Sequence, residues 1–119
     1  MVKRLIVMRH AKSSWKDPNL DDHERPLNKR GRRDAPMVAD AIFERGWIPE
    51  LVLVSSSKRT LQTLEGMSHR MGKTPFEVRS GIYHATVIDL IEELEDMLDN
   101  GTTMIIGHNP GSEILVNHL

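Results

Sequence analysis

The chain alternates short apolar runs with longer polar or amphipathic stretches. Apolar and often β-branched residues fill three short runs with little interruption, which is typical of strands buried on both faces of a sheet: residues 5–8, 51–54 and 103–106. Phe76–Arg79 alternates apolar and charged residues and predicts a fourth, short strand. Long connections separate all four runs.

Helical periodicity fills these connections. Asn28 is a good N-cap and Gly46 a good stop for a helix over about residues 29–45, in which Pro36 predicts a kink or a division into two shorter helices. Further helices are expected over about residues 57–71, followed by Gly72, over about residues 88–98, and from about Ser112 onward. Strands that alternate with helices predict an α/β fold, a three-layer α/β/α sandwich around a mainly parallel sheet.

Composition sets the size and class of the protein. At 119 residues, with 39% hydrophobic and 28% charged residues, we expect a single globular domain over residues 1–119. The absence of cysteine excludes disulfides, thiolate catalysis and sulfur-bound zinc, and it suits a cytoplasmic protein. No apolar run approaches the ~20 residues of a membrane span. Five aromatic residues and a net charge of -1 argue against nucleic acid as a partner.

Charge is distributed unevenly along the chain. Residues 1–36 hold ten Lys or Arg against five Asp or Glu, whereas residues 77–119 hold one Arg against eight acids. A basic N-terminal third can line a site for an anionic ligand, but ordinary solvated faces of opposite sign explain the same counts.

Chemically capable side chains follow three of the predicted strands. Arg9 and His10 end the first strand, Ser55 ends the second with Arg59 one helical turn later, and His108 follows the last. Because the carboxyl ends of parallel strands open onto one crevice, we expect two histidines and two arginines to converge there.

This set of side chains favours a phosphate site. The guanidinium fork matches phosphate oxygens and keeps its charge, and an imidazole can attack phosphorus or donate to a phosphoryl oxygen. Two histidines can also ligate a metal, but the strand ends supply arginines where a metal would need carboxylates or a third histidine. The remaining histidines are expected in surface or structural roles: His23, His69, His84 and His118.

Several motifs, in order along nearly the whole chain, resemble those of the histidine phosphatase superfamily. Residues 9–15 (Arg-His-Ala-Lys-Ser-Ser-Trp) resemble the Arg-His-Gly signature, and residues 55–63 resemble the second motif, in which a serine precedes Arg-Thr-x-Gln-Thr. Residues 107–111 (Gly-His-Asn-Pro-Gly) are similar to the second-histidine motif of the SixA branch, the phosphohistidine phosphatases. Arg-Pro-Leu at residues 25–27 and Gly31 also fit that branch.

The resemblance implies a phosphoglycerate mutase-like fold and a covalent mechanism. His10 would be the nucleophile, and Arg9, Arg59 and His108 would hold the phosphoryl oxygens. Substrate contacts at the pocket rim would come from Lys12, Ser13 and Asn109. The resemblance implies no metal or other cofactor. It also implies that the substrate of this protein is a phosphorylated protein or a small phosphorylated molecule.

The chain departs from the family pattern in three places. Ala11 replaces the usual Gly after the histidine, and Ser56 stands where the family often has Pro. The chain ends at Leu119, whereas family members usually continue with a further strand. We therefore expect either a shortened form or a longer protein, with an exposed sheet edge in the present chain.

The proton donor and the substrate stay open. The resemblance implies a carboxylic acid over the pocket in many members of the family, but residues 80–85, where it would be sought, contain none. The long polar loop of residues 11–26 carries four acids that can reach the site: Asp17, Asp21, Asp22 and Glu24. An imidazole leaving group needs less protonation than an alkoxide, so this pattern favours phosphohistidine in protein. A broad phosphomonoesterase, a phosphoglycerate mutase-type transferase and a catalytically silent binding module are the alternatives.

Overall fold

Four parallel strands form the centre of the computed structural model, which describes residues 3–119. The strands are β1 (Lys3–Arg9), β2 (Leu51–Ser55), β3 (Phe76–Arg79) and β4 (Gly101–Gly107), in the spatial order β1-β4-β2-β3. Arg9 of β1 lies opposite Gly107 of β4, and Val54 of β2 lies opposite Ile106. The three strands that end in chemically capable residues are therefore neighbours, with their carboxyl ends level.

In the described part of the chain, five α-helices cover the sheet: α1 (Lys29–Glu44), α2 (Lys58–Gly66), α3 (Ser68–Met71), α4 (Val87–Glu93) and α5 (Gly111–His118). Side chains from α1 to α3 form one core with one face of the sheet, at Ala35, Ala39, Met67, Met71, Val52, Val54, Met104 and Ile106. A second core on the opposite face joins Leu53, Ile82, Leu90, Ile105 and Leu115. Strand residues alternate between the two cores because successive side chains of a strand point to opposite faces. This confirms the predicted α/β/α sandwich, with a sheet that is parallel throughout the described chain.

The helix after Asn28 is a single element. The Asn28 side chain accepts a hydrogen bond from the backbone N–H of Gly31 at 2.8 Å, as expected of an N-cap. Of the two alternatives predicted at Pro36, the division into two shorter helices is wrong, because α1 continues through Pro36 to Glu44, and the kink stays a prediction. Ala35 and Ala39 are fully buried on either side of the proline, so packing against the sheet outweighs the lost backbone hydrogen bond.

The predicted helices over residues 57–71 and 88–98 are both shorter than expected. The first divides at Met67, which lies fully buried in the core between α2 and α3. The second ends as α4 at Glu93 and is followed by a 3-10 turn, Leu94–Asp96. Among residues 3–119, no helix has the length and apolarity needed to cross a membrane.

The loop after β1 packs against the start of α1. The backbone N–H of Asn28 donates to the carbonyl of Lys12 at 3.0 Å, and Ser13 forms an isolated antiparallel bridge with Leu27. A Cβ atom added at Gly31 would lie 2.2 Å from the Lys12 carbonyl oxygen. Only glycine therefore allows α1 to approach the segment that follows His10 so closely.

We expect Gly31→Ala to lower the free energy of unfolding by about 1–3 kcal/mol, since a backbone oxygen cannot move aside as a side chain can. Urea denaturation monitored by circular dichroism measures the change. Gly46→Asn is the control, because Gly46 has φ of 75° with no heavy atom near its Cβ position, and asparagine tolerates that conformation. Equal stability of Gly31→Ala and the unmodified protein would show that the contact is not needed.

Candidate active site

A pocket of about 870 Å³ opens at the carboxyl edge of the sheet. The four residues predicted from the strand ends and the three predicted at the rim all line it: Arg9, His10, Lys12, Ser13, Arg59, His108 and Asn109. The structure therefore brings together side chains that are up to a hundred positions apart in the sequence. Gly111 and Ile114, in the first turn of α5, also line the pocket, and the Ile114 side chain makes this part of the wall apolar.

His10 is held at the end of β1 with one ring nitrogen fixed. Its backbone N–H donates to the carbonyl of Gly107 at 3.1 Å, which extends the pairing of β1 with β4 by one residue. Its Nδ1 lies 2.6 Å from the carbonyl oxygen of Ala11. A carbonyl oxygen only accepts, so Nδ1 carries the proton and Nε2 keeps its lone pair. This tautomer gives the ring a nucleophilic nitrogen.

His108 lies beside His10, with 5.3 Å between the ring centroids. It is buried, and its Nε2 is 2.8 Å from the hydroxyl of Ser55, at the end of β2. Its Nδ1 is also buried, and no group of residues 3–119 hydrogen-bonds to it. Ser55 therefore fixes the orientation of a ring whose second nitrogen has no protein partner in the described chain.

Both imidazoles are held in the neutral form. Burial, opposed in part by the Ala11 carbonyl and assisted by the charge of Arg59, lowers the pKa of His10 from 6.5 to about 4. Burial and the same Arg59 charge lower the pKa of His108 to about 3. At neutral pH the nucleophilic lone pair of His10 is therefore free.

Arg59 is buried in the first turn of α2, and Asp22 binds both of its terminal nitrogens. Its Nη1 donates to the backbone carbonyl of Asp22 at 2.6 Å and its Nη2 to the carboxylate at 2.9 Å. The same carboxylate oxygen lies 2.7 Å from the hydroxyl of Tyr83 and 2.9 Å from Nε2 of His84. Of the four acids in the loop of residues 11–26, Asp22 is thus the one that the described structure places in contact with a predicted site residue, Arg59.

The carboxyl group of Asp22 is ionised. Its partial burial favours the neutral acid, but hydrogen bonds from Tyr83, Arg59 and His84 outweigh that effect and hold the pKa of Asp22 well below its usual range. An ionised carboxylate accepts hydrogen bonds and has no proton to give. Asp22 is therefore suited to orient donors and not to protonate a leaving group.

Arg25 forms a second buried cation next to this network. Its guanidinium donates to the hydroxyl of Ser13 and, at 3.3 Å, to the carboxylate of Asp22. The indole of Trp15, three-quarters exposed, stacks on it with 3.6 Å between the guanidinium carbon and the ring centroid. Ser13 thus lines the pocket as predicted, but its hydroxyl already contacts Arg25.

The sequence pattern does not identify two residues at this site. It gives no sign of Tyr83, which contacts Asp22, and it predicts a surface or structural role for His84, which lies in the pocket wall. Its ring packs on Tyr83 at 4.1 Å between centroids. Nothing in the local sequence pattern marks these two residues, because their partner Asp22 is about sixty positions away. His23 contacts Ser56 and His69 contacts Asp40, both outside the pocket.

No three His, Asp or Glu side chains of the described residues are grouped closely enough to hold a metal ion. The three histidines that line the pocket, His10, His84 and His108, lie with arginines, which repel a cation. Metal-independent chemistry stays a prediction.

We expect nitrogen-15 NMR to show neutral imidazole rings for His10 and His108 from about pH 8 down to about pH 5, because their pKa values lie near 4 and 3. The folded protein then binds fewer protons than the unfolded chain between about pH 4 and pH 6.5, so its stability falls as the pH is lowered through that range. Protonation of either ring with a midpoint near pH 6.5 would contradict the prediction.

The chain is similar to proteins of one family. The family model of the histidine phosphatase superfamily (branch 1) matches residues 5–85. An uncharacterized chloroplastic protein of Arabidopsis thaliana is 37% identical over 122 residues, with 93% of this chain and 56% of that protein covered. An uncharacterized protein of Mycobacterium tuberculosis is 35% identical over 109 residues, with 91% and 66% covered. The chain thus spans 56% to 66% of the length of these curated relatives.

A solved structure extends the similarity to the whole fold. A protein from Agrobacterium tumefaciens that is provisionally named phosphohistidine phosphatase SixA superposes with a TM-score of 0.89 at 27% identity, over 97% of this chain and 75% of that one. The expected phosphoglycerate mutase-like fold and the likeness to the SixA branch are confirmed. With a family model matched over most of its length, this chain belongs to the histidine phosphatase superfamily.

Proposed function

We propose that the protein is a phosphatase that forms a phosphohistidine on His10 and acts on phosphohistidine in other proteins. The observation that carries the proposal is the hydrogen bond between Nδ1 of His10 and the Ala11 carbonyl. It leaves Nε2 unprotonated, in a pocket shared with Arg9, Arg59 and His108. A lone pair surrounded by fixed positive charge is what attack on a phosphoryl group requires.

In the proposed reaction, Nε2 of His10 bonds to phosphorus while the bond from phosphorus to the leaving group breaks. The arginines Arg9 and Arg59 stabilise the charge on the phosphoryl oxygens, and His108 donates a hydrogen bond to one of them. Water then attacks phosphorus and releases His10 and inorganic phosphate. Lys12 and Asn109 contact the rest of the substrate from the pocket rim. No metal takes part in this scheme.

Protein phosphohistidine is the proposed substrate for two reasons. The described pocket has no carboxylic acid proton donor, since residues 80–85 lack one and Asp22 is ionised. An imidazole is a better leaving group than an alkoxide whichever group supplies the proton, so it depends least on a strong carboxylic acid. The solved relative from Agrobacterium tumefaciens bears the name of a phosphohistidine phosphatase.

We also propose that residues 1–119 form a single domain and that the protein works in the cytoplasm.

Brief exposure to a phosphorus-32-labelled phosphodonor should leave an acid-labile, alkali-stable label on His10. His10→Ala should remove the label and lower kcat by at least about 10³-fold, because no second nucleophile replaces the lost Nε2. His69→Ala is the matched control, since that imidazole bonds Asp40 on the surface and should keep full labelling. Turnover that survives in His10→Ala would refute the mechanism.

We expect kcat/KM to be at least about tenfold higher for a phosphohistidine peptide than for a phosphoserine peptide of the same sequence, because the imidazole leaves more readily. Phosphate release from the two peptides measures the ratio. A higher value for phosphoserine would favour a broad phosphomonoesterase, and phosphoryl transfer to a second sugar-acid hydroxyl would favour a mutase-type enzyme.

A further inference from the structure

We propose that His84, oriented by Asp22, is the residue that donates a proton to the leaving group and later takes one from water. This inference rests on the proposed function, because it assigns the proton transfers of the same reaction. It gives a catalytic role to a histidine for which the sequence pattern predicts a surface or structural role.

The tautomer of His84 follows from its contact with Asp22. Nε2 of His84 lies 2.9 Å from the carboxylate of Asp22, which is ionised and only accepts. Nε2 therefore carries a hydrogen in both protonation states of the ring. The proton that the ring loses and regains is therefore the one on Nδ1, to which no group of the described chain forms a hydrogen bond.

The backbone of His84 is in a conformation that side chains seldom adopt. Its φ is 53°, and it is the one non-glycine residue with positive φ in the described chain. Such a conformation costs energy and persists only where the surrounding structure imposes it, and it is often found at functional sites. Here the conformation accompanies a ring that lies in the pocket wall, with 60% of the side chain exposed.

Charged and titratable groups face His84 from four parts of the fold. The Asp22 carboxylate lies on the loop after β1, the Tyr83 ring is adjacent, and the His108 ring at the end of β4 is 6.0 Å away between centroids. Arg59 on α2 bonds the same Asp22 oxygen as His84 does. Among the described residues, the negative charge in direct contact with His84 is thus that of Asp22.

The proton transfers balance over the two steps. In the first, the leaving group accepts the Nδ1 proton of the His84 imidazolium as its bond to phosphorus breaks, which leaves His84 neutral. In the second, water attacks the phosphoryl group on His10 and gives its proton to Nδ1 of His84, which restores the imidazolium. A histidine thereby supplies the acid that no carboxyl group of the described pocket can supply.

His84→Asn is the sharpest test of this assignment. Asparagine tolerates positive φ and its amide can still donate to Asp22, but it cannot transfer a proton. With enzyme in excess, the rate of phenol release is measured from phenyl phosphate, a poor leaving group, and from 2,4-dinitrophenyl phosphate, which needs no acid. We expect about a 100-fold or larger loss for the first substrate and less than about a threefold loss for the second.

His23→Asn is the matched control, because His23 also packs against Tyr83 but bonds Ser56 outside the pocket. It should leave the ratio of the two rates as in the unmodified protein. Equal losses for both substrates in His84→Asn would show a structural role and overturn the assignment. Labelling of His10 in the unmodified protein is followed in the same experiment. Its absence would overturn the proposed function itself, whereas labelling with an unchanged ratio in His84→Asn would overturn only the role of His84.

Discussion

The parallel pairing of β1 with β4 is the interaction on which the rest of the site depends. These strands lie 92 or more residues apart in sequence, yet their register places Arg9 opposite Gly107 and continues into the bond from His10 N–H to Gly107. The positions of His10 and His108 follow directly from that register, since each histidine is the residue immediately after its strand. A slip of one residue would turn His10 to the other face of the sheet and separate the two rings.

Electrostatic balance is the second constraint on this pocket. Arg9, Arg25 and Arg59 lie around two neutral histidines, and Asp22 contacts two of these arginines. Without such a carboxylate, buried guanidinium groups would face one another uncompensated. The short turn Asp22–Glu24 is therefore as much a part of the site as the strand ends, although it belongs to a loop.

The sequence was sufficient to predict features that depend on local order. Strand positions follow from apolar runs, and the meeting of His10, Arg59 and His108 follows from the rule that parallel strands end together. The division at Met67 could not be predicted, since Met67 is fully buried in a core that it shares with Ala35, Val54 and Ile106, which are distant in sequence. The network around Asp22 is equally hidden, because it joins residues 37 to 62 positions apart through loops without periodicity.

The pairing of Arg59 with Asp22 has a consequence for the proposed reaction. In that reaction, an incoming phosphoryl group meets an arginine that already has an anionic partner, so the net attraction is the difference between the energies of two ion pairs. When inorganic phosphate leaves in the same scheme, Asp22 forms its ion pair with Arg59 again. Under the proposed function, this competition weakens the binding of substrate and product alike, and it limits the time for which the product occupies a strongly cationic pocket.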